Sequence, residues 1–159
     1  MIVNRERLLQ QLILHEGLKL EPYTSTLGNS VIGIGYNITS RGWVFLEQVI
    51  GRKVGKFPRL TPDEARAVCR ADIDRMENAM MVHFPSYSTL DDVRQRVILD
   101  MAFNVGFTAL GFKQTIEAIA KHDWSRAARE MYKLKSKWPR QGRCDRLFRM
   151  LLTGVDFTF

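Results

Sequence analysis

The spacing of apolar residues along the chain predicts a protein built mostly of helices. Between residues 5 and 15, Leu8, Leu9, Leu12 and Ile13 recur at positions i, i+1, i+4 and i+5, as on the buried face of an amphipathic helix. Similar spacing predicts further helices over residues 42–50, 62–83, 90–105, 112–121, 124–135 and 143–152. The segment 90–105 is the most apolar of these, and we expect it at the centre of a helical lobe.

One segment, residues 23–38, follows a different pattern. Its apolar residues Val31, Ile32, Ile34 and Tyr36 are mixed with glycines and other turn-forming residues. This composition is typical of short strands whose backbones approach closely at glycine, and it predicts a small antiparallel sheet or hairpin. The fold class is therefore α+β and mostly helical.

Two helix boundaries are clear in the sequence. Gly17 is placed to end the first helix. Thr61, Pro62 and Glu64 form a helix start, with Thr61 as N-cap, proline at the first helical position and Glu64 completing a capping box. The helix that begins there is long enough to connect two lobes. We expect one domain: an N-lobe over about 15–60, a connecting helix over about 62–83, and a C-lobe over about 85–159 that includes the N-terminal helix 4–15. A cleft between two such lobes is a usual place for a polymeric substrate.

The composition fits a single globular domain. The chain has 159 residues, of which 45% are hydrophobic and 26% charged, enough for a proper core. No apolar run approaches the roughly 18–20 residues needed to span a bilayer. The stretch from Leu8 to Leu14 is too short and too polar for a signal sequence, so we expect the chain to be cytosolic when made. Cys69 and Cys144 lack metal-binding spacing, which predicts structural thiols, no metal site and no disulfide framework.

The net charge of +7 favours polyanionic partners. Three interpretations are open: a solvated basic face, attraction to the negatively charged bacterial wall, and nucleic-acid binding. The third is weakest because the sequence carries no recognised nucleic-acid-binding motif, and we expect no specific nucleic-acid partner.

Short motifs run almost the whole length of the chain in unbroken order. They are Glu16-Gly17-Leu18-Lys19-Leu20, Pro22-Tyr23, Gly28, Ile32-Gly33-Ile34-Gly35, Leu60-Thr61-Pro62-Asp63-Glu64-Ala65, Leu90-Asp91-Asp92-Val93-Arg94, Met101-Ala102-Phe103-Asn104-Val105-Gly106, Gly111-Phe112, Trp124-Ser125-Arg126-Ala127-Ala128 and Ser136-Lys137-Trp138. In these residues the chain resembles the phage-type, T4-lysozyme-like lysozymes of glycoside hydrolase family 24.

The resemblance implies a two-lobed lysozyme fold and the activity of a bacteriolytic muramidase. Such an enzyme is a phage or prophage endolysin that hydrolyses the β-1,4 bond between N-acetylmuramic acid and N-acetylglucosamine in peptidoglycan. The resemblance also implies a monomer without a cofactor, made in the host cytoplasm. It reaches the wall in the periplasm after release through a holin or similar lesion.

At the catalytic positions the chain departs from the family. The family pattern has an acid Glu, an Asp (Cys in some members) nine residues on, and a Thr six residues beyond that. Here these positions are Glu16, Ser25 and Val31, and the spacing from Glu16 to Gly28 and Gly33 leaves no room for a gap. Inverting hydrolysis needs an acid and a base carboxyl about 6.5–9.5 Å apart, and a positioned base contributes about 10²–10⁴-fold. We therefore expect hydrolysis to be weak or absent.

At other site positions the chain matches the family pattern better than it does at Ser25 and Val31. By resemblance, an arginine of the C-lobe meets Glu16, and Arg143 is the best match for it, with Arg146 second. Thr26, next to Ser25, is a hydroxyl able to hold water. The implied substrate contacts are Asn37, Phe103, Asn104 and Thr115. Asp72 matches a carboxylate that pairs with a His in some relatives, and because Tyr36 stands in place of that His, we expect the ion pair to be lost.

Three functions compete on this evidence. The first is the muramidase. The second is a lysozyme-fold module that no longer hydrolyses and binds glycan or a protein partner. The third is a basic helical nucleic-acid binder. The sequence is compatible with Ser25 and Val31 being either native or introduced.

Overall fold

The computed structural model describes residues 2–106, 112–134 and 141–157. Within them are eight α-helices, one 3₁₀ turn and one small sheet, which confirms the mostly helical α+β class. The helices are α1 Arg5–Glu16, α2 Ile38–Arg41, α3 Val44–Ile50, α4 Pro62–His83, α5 Asp92–Val105, α6 Lys113–Ala120, α7 Trp124–Tyr132 and α8 Gln141–Thr153, with the 3₁₀ turn at Pro85–Thr89. The strands are β1 Lys19–Thr24, β2 Ser30–Gly33 and β3 Tyr36–Asn37. Residue 135, the predicted end of one helix, and the motif residues Gly111 and 136–138 lie outside the described residues.

The chain forms two compact units, Arg5–Arg75 and Met1–Asn4 with Met76–Phe159. The boundary between them falls inside α4. Helix α1 belongs to the first unit, which we call the N-terminal unit; the second is the C-terminal unit. The lobe limits drawn from the sequence, including the assignment of helix 4–15 to the C-lobe, stay a prediction.

The sheet is antiparallel, with strand order β1-β2-β3. Its first strand begins at Lys19, four residues before the predicted start of the segment at residue 23. The sequence concealed this strand because it contains Pro22, which cannot donate to a ladder, and exposed charged residues. An edge strand tolerates both.

The core of the N-terminal unit lies on one side of this sheet. Ile32 and Tyr36 pack there with buried residues of α3, α4 and the intervening loop, namely Leu46, Val54, Leu60, Ala65 and Val68. Since successive strand residues point to opposite faces, Val31 lies on the other face from Ile32. Gly33 follows with φ of 68°, in the left-handed region that favours glycine, and packs against Leu60 and Ala65.

In the C-terminal unit, α5 packs on α8, α8 on α7 and α7 on α6. Helix α5 is buried along most of its length, as its sequence predicted, and Val97 and Leu99 have no exposed surface. It also carries buried polar residues, including Arg96 and Asp100. None of the described helices is both long and apolar enough to cross a membrane.

Side-chain caps fix several helix starts. The predicted capping box of α4 is present: the Thr61 N–H donates to Glu64 Oε2 at 2.8 Å, and the Glu64 N–H donates to Thr61 Oγ1 at 3.1 Å. Asp91 and Asp123 cap α5 and α7 by a single hydrogen bond each. Their side chains accept the N–H groups of Arg94 and Arg126.

The helix predicted over 42–50 begins at Val44. Gly42 instead ends the short helix α2, donating its N–H to the Ile38 carbonyl at φ of 66°.

Candidate active site

Glu16 is the last residue of α1. The helix stops there because Gly17 takes φ of 80° and donates its N–H to the Ile13 carbonyl at 2.8 Å, as predicted for a terminating glycine. Strand β1 starts two residues later at Lys19. Glu16 is therefore a half-buried residue at the junction in sequence between this helix and the sheet.

The nearby thiol of Cys69 is not a nucleophile. Its burial, followed by the charges of Asp72 and Glu16, raises the pKa of Cys69 to about 12. The thiol therefore stays protonated at neutral pH, in agreement with the structural role predicted for it.

Ser25 closes the turn between β1 and β2. Its N–H donates to the Asn29 carbonyl at 2.8 Å, and its carbonyl accepts the Gly28 N–H at 2.9 Å. The side-chain Oγ accepts the Asn29 N–H at 3.2 Å. The hydroxyl thus has a structural role in the hairpin, and the position carries no carboxylate.

Val31 lies in the middle strand of the sheet. Its cross-strand partners are Tyr23 on β1 and Asn37 on β3, and its side chain is 7% exposed. Directly paired residues share a face, so Val31 lies between the side chains of Tyr23 and Asn37 on the face opposite Ile32. The third implied catalytic position therefore offers two methyl groups and no hydroxyl.

Hydroxyl and amide groups surround this hairpin. Thr26 is exposed in the turn. The Oδ1 of Asn37 accepts the Ser40 N–H at 3.1 Å and caps α2, so the cap does not use the amide Nδ2 group. The predicted role of Asn37 as a substrate contact stays a prediction. The Thr39 Oγ1 accepts the Ser30 N–H at 2.8 Å. The sequence did not predict this contact of Thr39 with the hairpin, because only the fold brings α2 beside β2.

One carboxylate of the hairpin is already paired. Glu21 on β1 is exposed and forms an ion pair with Arg59. In the part of the chain that the structure describes, no group of three or more His, Cys, Asp or Glu residues is arranged to hold a metal ion.

In the C-terminal unit, Phe103 and Asn104 lie half-buried in the last turn of α5. The Nδ2 atom of Asn104 is buried and has no hydrogen-bond partner among the described residues. An unsatisfied buried amide is unfavourable, so this donor is suited to a ligand acceptor. Its predicted role as a substrate contact stays a prediction.

Thr115 lies in α6 and has no exposed surface. It lines an apolar pocket with residues of α4, α5 and α6, including Met80, Ile98, Met101, Phe112 and Ile119. Its Oγ1 has no hydrogen-bond partner within the described residues. The structure thus places this predicted substrate contact inside a helical core.

Arg143 forms a buried ion pair that the sequence did not predict. Its Nε donates to Asp100 Oδ1 at 2.7 Å and a terminal nitrogen donates to the Asp100 carbonyl at 3.1 Å. Arg143 and Asp100 are 2% and 0% exposed. An acid between Leu99 and Met101, on the most apolar helix, was the available signal for Asp100. The predicted meeting of Arg143 with Glu16 stays a prediction.

Asp72 has acquired a different partner from the one implied by resemblance. Its Oδ2 accepts from Arg41 at 2.7 Å, and the Arg41 guanidinium lies over the Tyr36 ring at 4.3 Å. The Tyr36 ring therefore contacts this ion pair by stacking against Arg41. Its hydroxyl donates to the Gly42 carbonyl at 3.0 Å. Burial raises the pKa of Tyr36, and the Arg41 charge opposes part of this rise. Asp72 therefore does form an ion pair, with Arg41 in place of the His of some relatives.

The chain is similar in sequence to known proteins over most of its length. The family model described as "Phage lysozyme" matches residues 14–149. Two similar proteins from Dictyostelium discoideum, "Probable T4-type lysozyme 1" and "Probable T4-type lysozyme 2", are 33% and 31% identical to the chain over 156 residues. Each match spans 88% of this chain and 90% of the relative.

Proposed function

The chain belongs to the phage lysozyme family, and from this premise we propose that it is an N-acetylmuramidase with weakened hydrolysis. The family implies peptidoglycan as the substrate. The proposed bond is the β-1,4 linkage between N-acetylmuramic acid and N-acetylglucosamine. Glu16, at the end of α1, is the proposed general acid that protonates the leaving oxygen.

The observation that carries the proposed weakening is the chemistry of the hairpin. Ser25 has a hydroxyl that accepts the Asn29 N–H, and Val31 is apolar and buried. Neither side chain can take a proton from water near neutral pH. A water held by Ser25 or Thr26 can attack an oxocarbenium-like centre without a base. It does so more slowly, by about the 10²–10⁴-fold that a positioned base contributes.

The proposed bond specificity is tested by product analysis. Purified peptidoglycan is incubated with the protein, new reducing ends are reduced with borohydride, and the sugar alcohols are identified by mass spectrometry after acid hydrolysis. We expect slow release of muramitol. Glucosaminitol in its place would mean that the other glycosidic bond is cut and that the muramidase assignment is wrong.

Two variants serve as controls in this assay. Glu16→Gln removes the proposed acid and should abolish muramitol release. Thr24→Asp adds a carboxylate next to Ser25, at an exposed residue that alternation along β1 places on the face opposite Tyr23 and Val31. It should leave the slow rate unchanged, whereas Ser25→Asp should raise it. A gain confined to Ser25→Asp is then due to the position of the carboxylate and not to added charge.

A second candidate function is a glycan-binding or protein-binding module without hydrolysis. The absence of a carboxylate at Ser25 and of a hydroxyl at Val31 favours it. In this case the protein would cosediment with purified peptidoglycan while releasing no muramitol above the Glu16→Gln background. The same two measurements therefore separate the two functions.

We propose the setting of an endolysin for this activity. A monomer is made in the host cytoplasm and acts on the wall in the periplasm after release through a holin or similar lesion. Family membership alone leaves this open, because the relatives named above come from Dictyostelium discoideum.

The setting is tested by expressing the Ser25→Asp/Val31→Thr variant in Escherichia coli with and without a holin. Lysis that requires the holin supports the proposal, and lysis without it contradicts the proposal. Analytical ultracentrifugation tests the monomer.

A further inference from the structure

Residues 51–60, between α3 and α4, form a loop that exposes an aromatic ring. Phe57 is 84% exposed, whereas Val54 and Leu60 on either side of it are 9% and 2% exposed. A phenyl ring held in water forgoes a favourable burial that the two aliphatic residues of the loop, Val54 and Leu60, achieve. This contrast within seven residues marks the ring as an available contact surface.

Hydrogen bonds connect the two ends of the loop to each other and to neighbouring elements. The Arg52 guanidinium donates to the Arg59 carbonyl at 2.8 Å and to both carboxylate oxygens of Glu64 at 2.7 and 2.8 Å. The Leu60 N–H donates to the Leu20 carbonyl on β1 at 2.9 Å. Because these bonds order the loop in advance, burying Phe57 against a partner does not carry the entropic cost of ordering it.

The charge of the loop is entirely positive. Residues 51–60 contain Arg52, Lys53, Lys56 and Arg59 and no acid. Three of these cations pair with acids outside the loop: Arg52 with Glu64, Lys53 with Glu47, and Arg59 with Glu21.

Lys56 differs from these three cations. Its Nζ lies 5.7 Å from the centre of the Phe57 ring, and it has no acidic partner among the described residues. The loop therefore presents one apolar ring and one uncompensated ammonium side by side.

We propose that this Lys56–Phe57 tip docks on an anionic phospholipid bilayer, with the ring entering the headgroup region and the ammonium meeting a lipid phosphate. A phenyl ring has no polar edge for sugar hydroxyls, so its chemistry suits lipid better than glycan. The net charge of +7 draws the whole protein to such a surface. One ring and one cation give weak, reversible binding, which concentrates the protein at the membrane without trapping it.

Vesicle cosedimentation tests this proposal with the full chain. Vesicles of phosphatidylglycerol and phosphatidylcholine in equal amounts are compared with pure phosphatidylcholine at low and at physiological salt. We expect binding to the anionic vesicles only, weakening as salt rises. Phe57→Ala should weaken the partition coefficient about tenfold and Lys56→Gln about fivefold. Val82→Ala, which trims an apolar side chain that is 73% exposed in the C-terminal unit, should bind as the original chain does.

Phe57→Trp adds a direct readout of insertion, because its emission should shift to the blue on anionic vesicles beyond the shift of the original chain. Three outcomes with vesicles overturn the proposal: no binding to anionic vesicles, equal binding by Phe57→Ala, or equal binding to neutral vesicles. A Phe57 dependence confined to cosedimentation with peptidoglycan also overturns it and makes the loop a glycan contact. Thermal unfolding of each variant verifies that the fold is retained.

Discussion

At the residue scale, Ser25 and Val31 suit the local structure of the hairpin, and neither side chain carries a carboxylate. The Ser25 hydroxyl accepts the Asn29 N–H in the hairpin turn, a bond that an Asp carboxylate also makes in such turns. Valine has the shape of threonine and the same β-branched preference for strands, so Val31 fits the central strand. We therefore expect Ser25→Asp and Val31→Thr to leave the sheet intact.

A residue-scale prediction concerns Thr115. Its buried Oγ1 lies in an apolar pocket without a hydrogen-bond partner in the described part of the chain, which is unfavourable. Thr115→Val keeps the shape and removes this polar atom, and it should raise the free energy of unfolding by about 1 kcal/mol. Urea unfolding measures this, with Thr115→Ala as the control that enlarges the pocket and should destabilise the protein. A loss of stability in Thr115→Val would mean that the hydroxyl has a partner.

At the element scale, the start of α4 joins a local sequence signal to a tertiary contact. Thr61 and Glu64 form the capping box that the sequence predicted, and Arg52 from the preceding loop adds an ion pair to Glu64. The hydrogen bonds from Arg52, followed by the Thr61 N–H, lower the pKa of Glu64 to about 2. The sequence predicted the capping box because Thr61 and Glu64 are only three residues apart. It did not predict the ion pair of Arg52 with Glu64, which are twelve residues apart.

This lowered pKa gives an element-scale prediction. The folded state holds Glu64 ionised, with a pKa of about 2 against an ordinary value of 4.5. Its contribution to stability is therefore present above pH 4.5 and is lost as the pH falls towards 2. Glu64→Gln keeps the box and removes the charge, so it should lower stability at pH 7 by at most about 1 kcal/mol.

Urea unfolding from pH 7 to pH 2 measures this difference, which should shrink below pH 4.5. A difference that stays constant over this range would show that the charge contributes nothing.

At the scale of the whole molecule, the buried ion pairs are what sequence reasoning missed. Helix periodicity and the resemblance predicted most helices, the sheet region and the candidate positions of the site. They did not predict that Asp100 holds Arg143 or that Arg41 replaces the partner of Asp72. Such pairs join residues far apart in the chain, and neither local propensity nor spacing carries information about them.

One such pair fixes the C-terminal end of the chain. Arg96 on α5 is 1% exposed and donates to Asp156 at 2.8 and 3.2 Å and to Asp92 at 3.0 Å. Asp92 also accepts the N–H of Asn4. The two ends of the described chain thus meet at the same helix within the C-terminal unit.

We expect Asp156→Ala to lower the free energy of unfolding by about 1–3 kcal/mol, because it leaves a buried guanidinium short of a partner. Thermal or urea unfolding measures the loss. Glu117→Ala, at an exposed position of α6, is the control and should stay within about 0.5 kcal/mol of the original chain. Equal effects of the two substitutions would show that the Arg96 contact does not stabilise the fold.

The central claim is that the missing base and hydroxyl alone limit hydrolysis. Its most direct test is the loss of turbidity of outer-membrane-permeabilised Gram-negative cells. The original chain, Ser25→Asp/Val31→Thr, and the same double variant with Glu16→Gln are compared at equal concentration. We predict that the double variant lyses cells about 10²–10⁴-fold faster than the original chain and that Glu16→Gln abolishes this gain. Rapid lysis by the original chain, lost in its own Glu16→Gln variant, would contradict the account and show that another group activates the water.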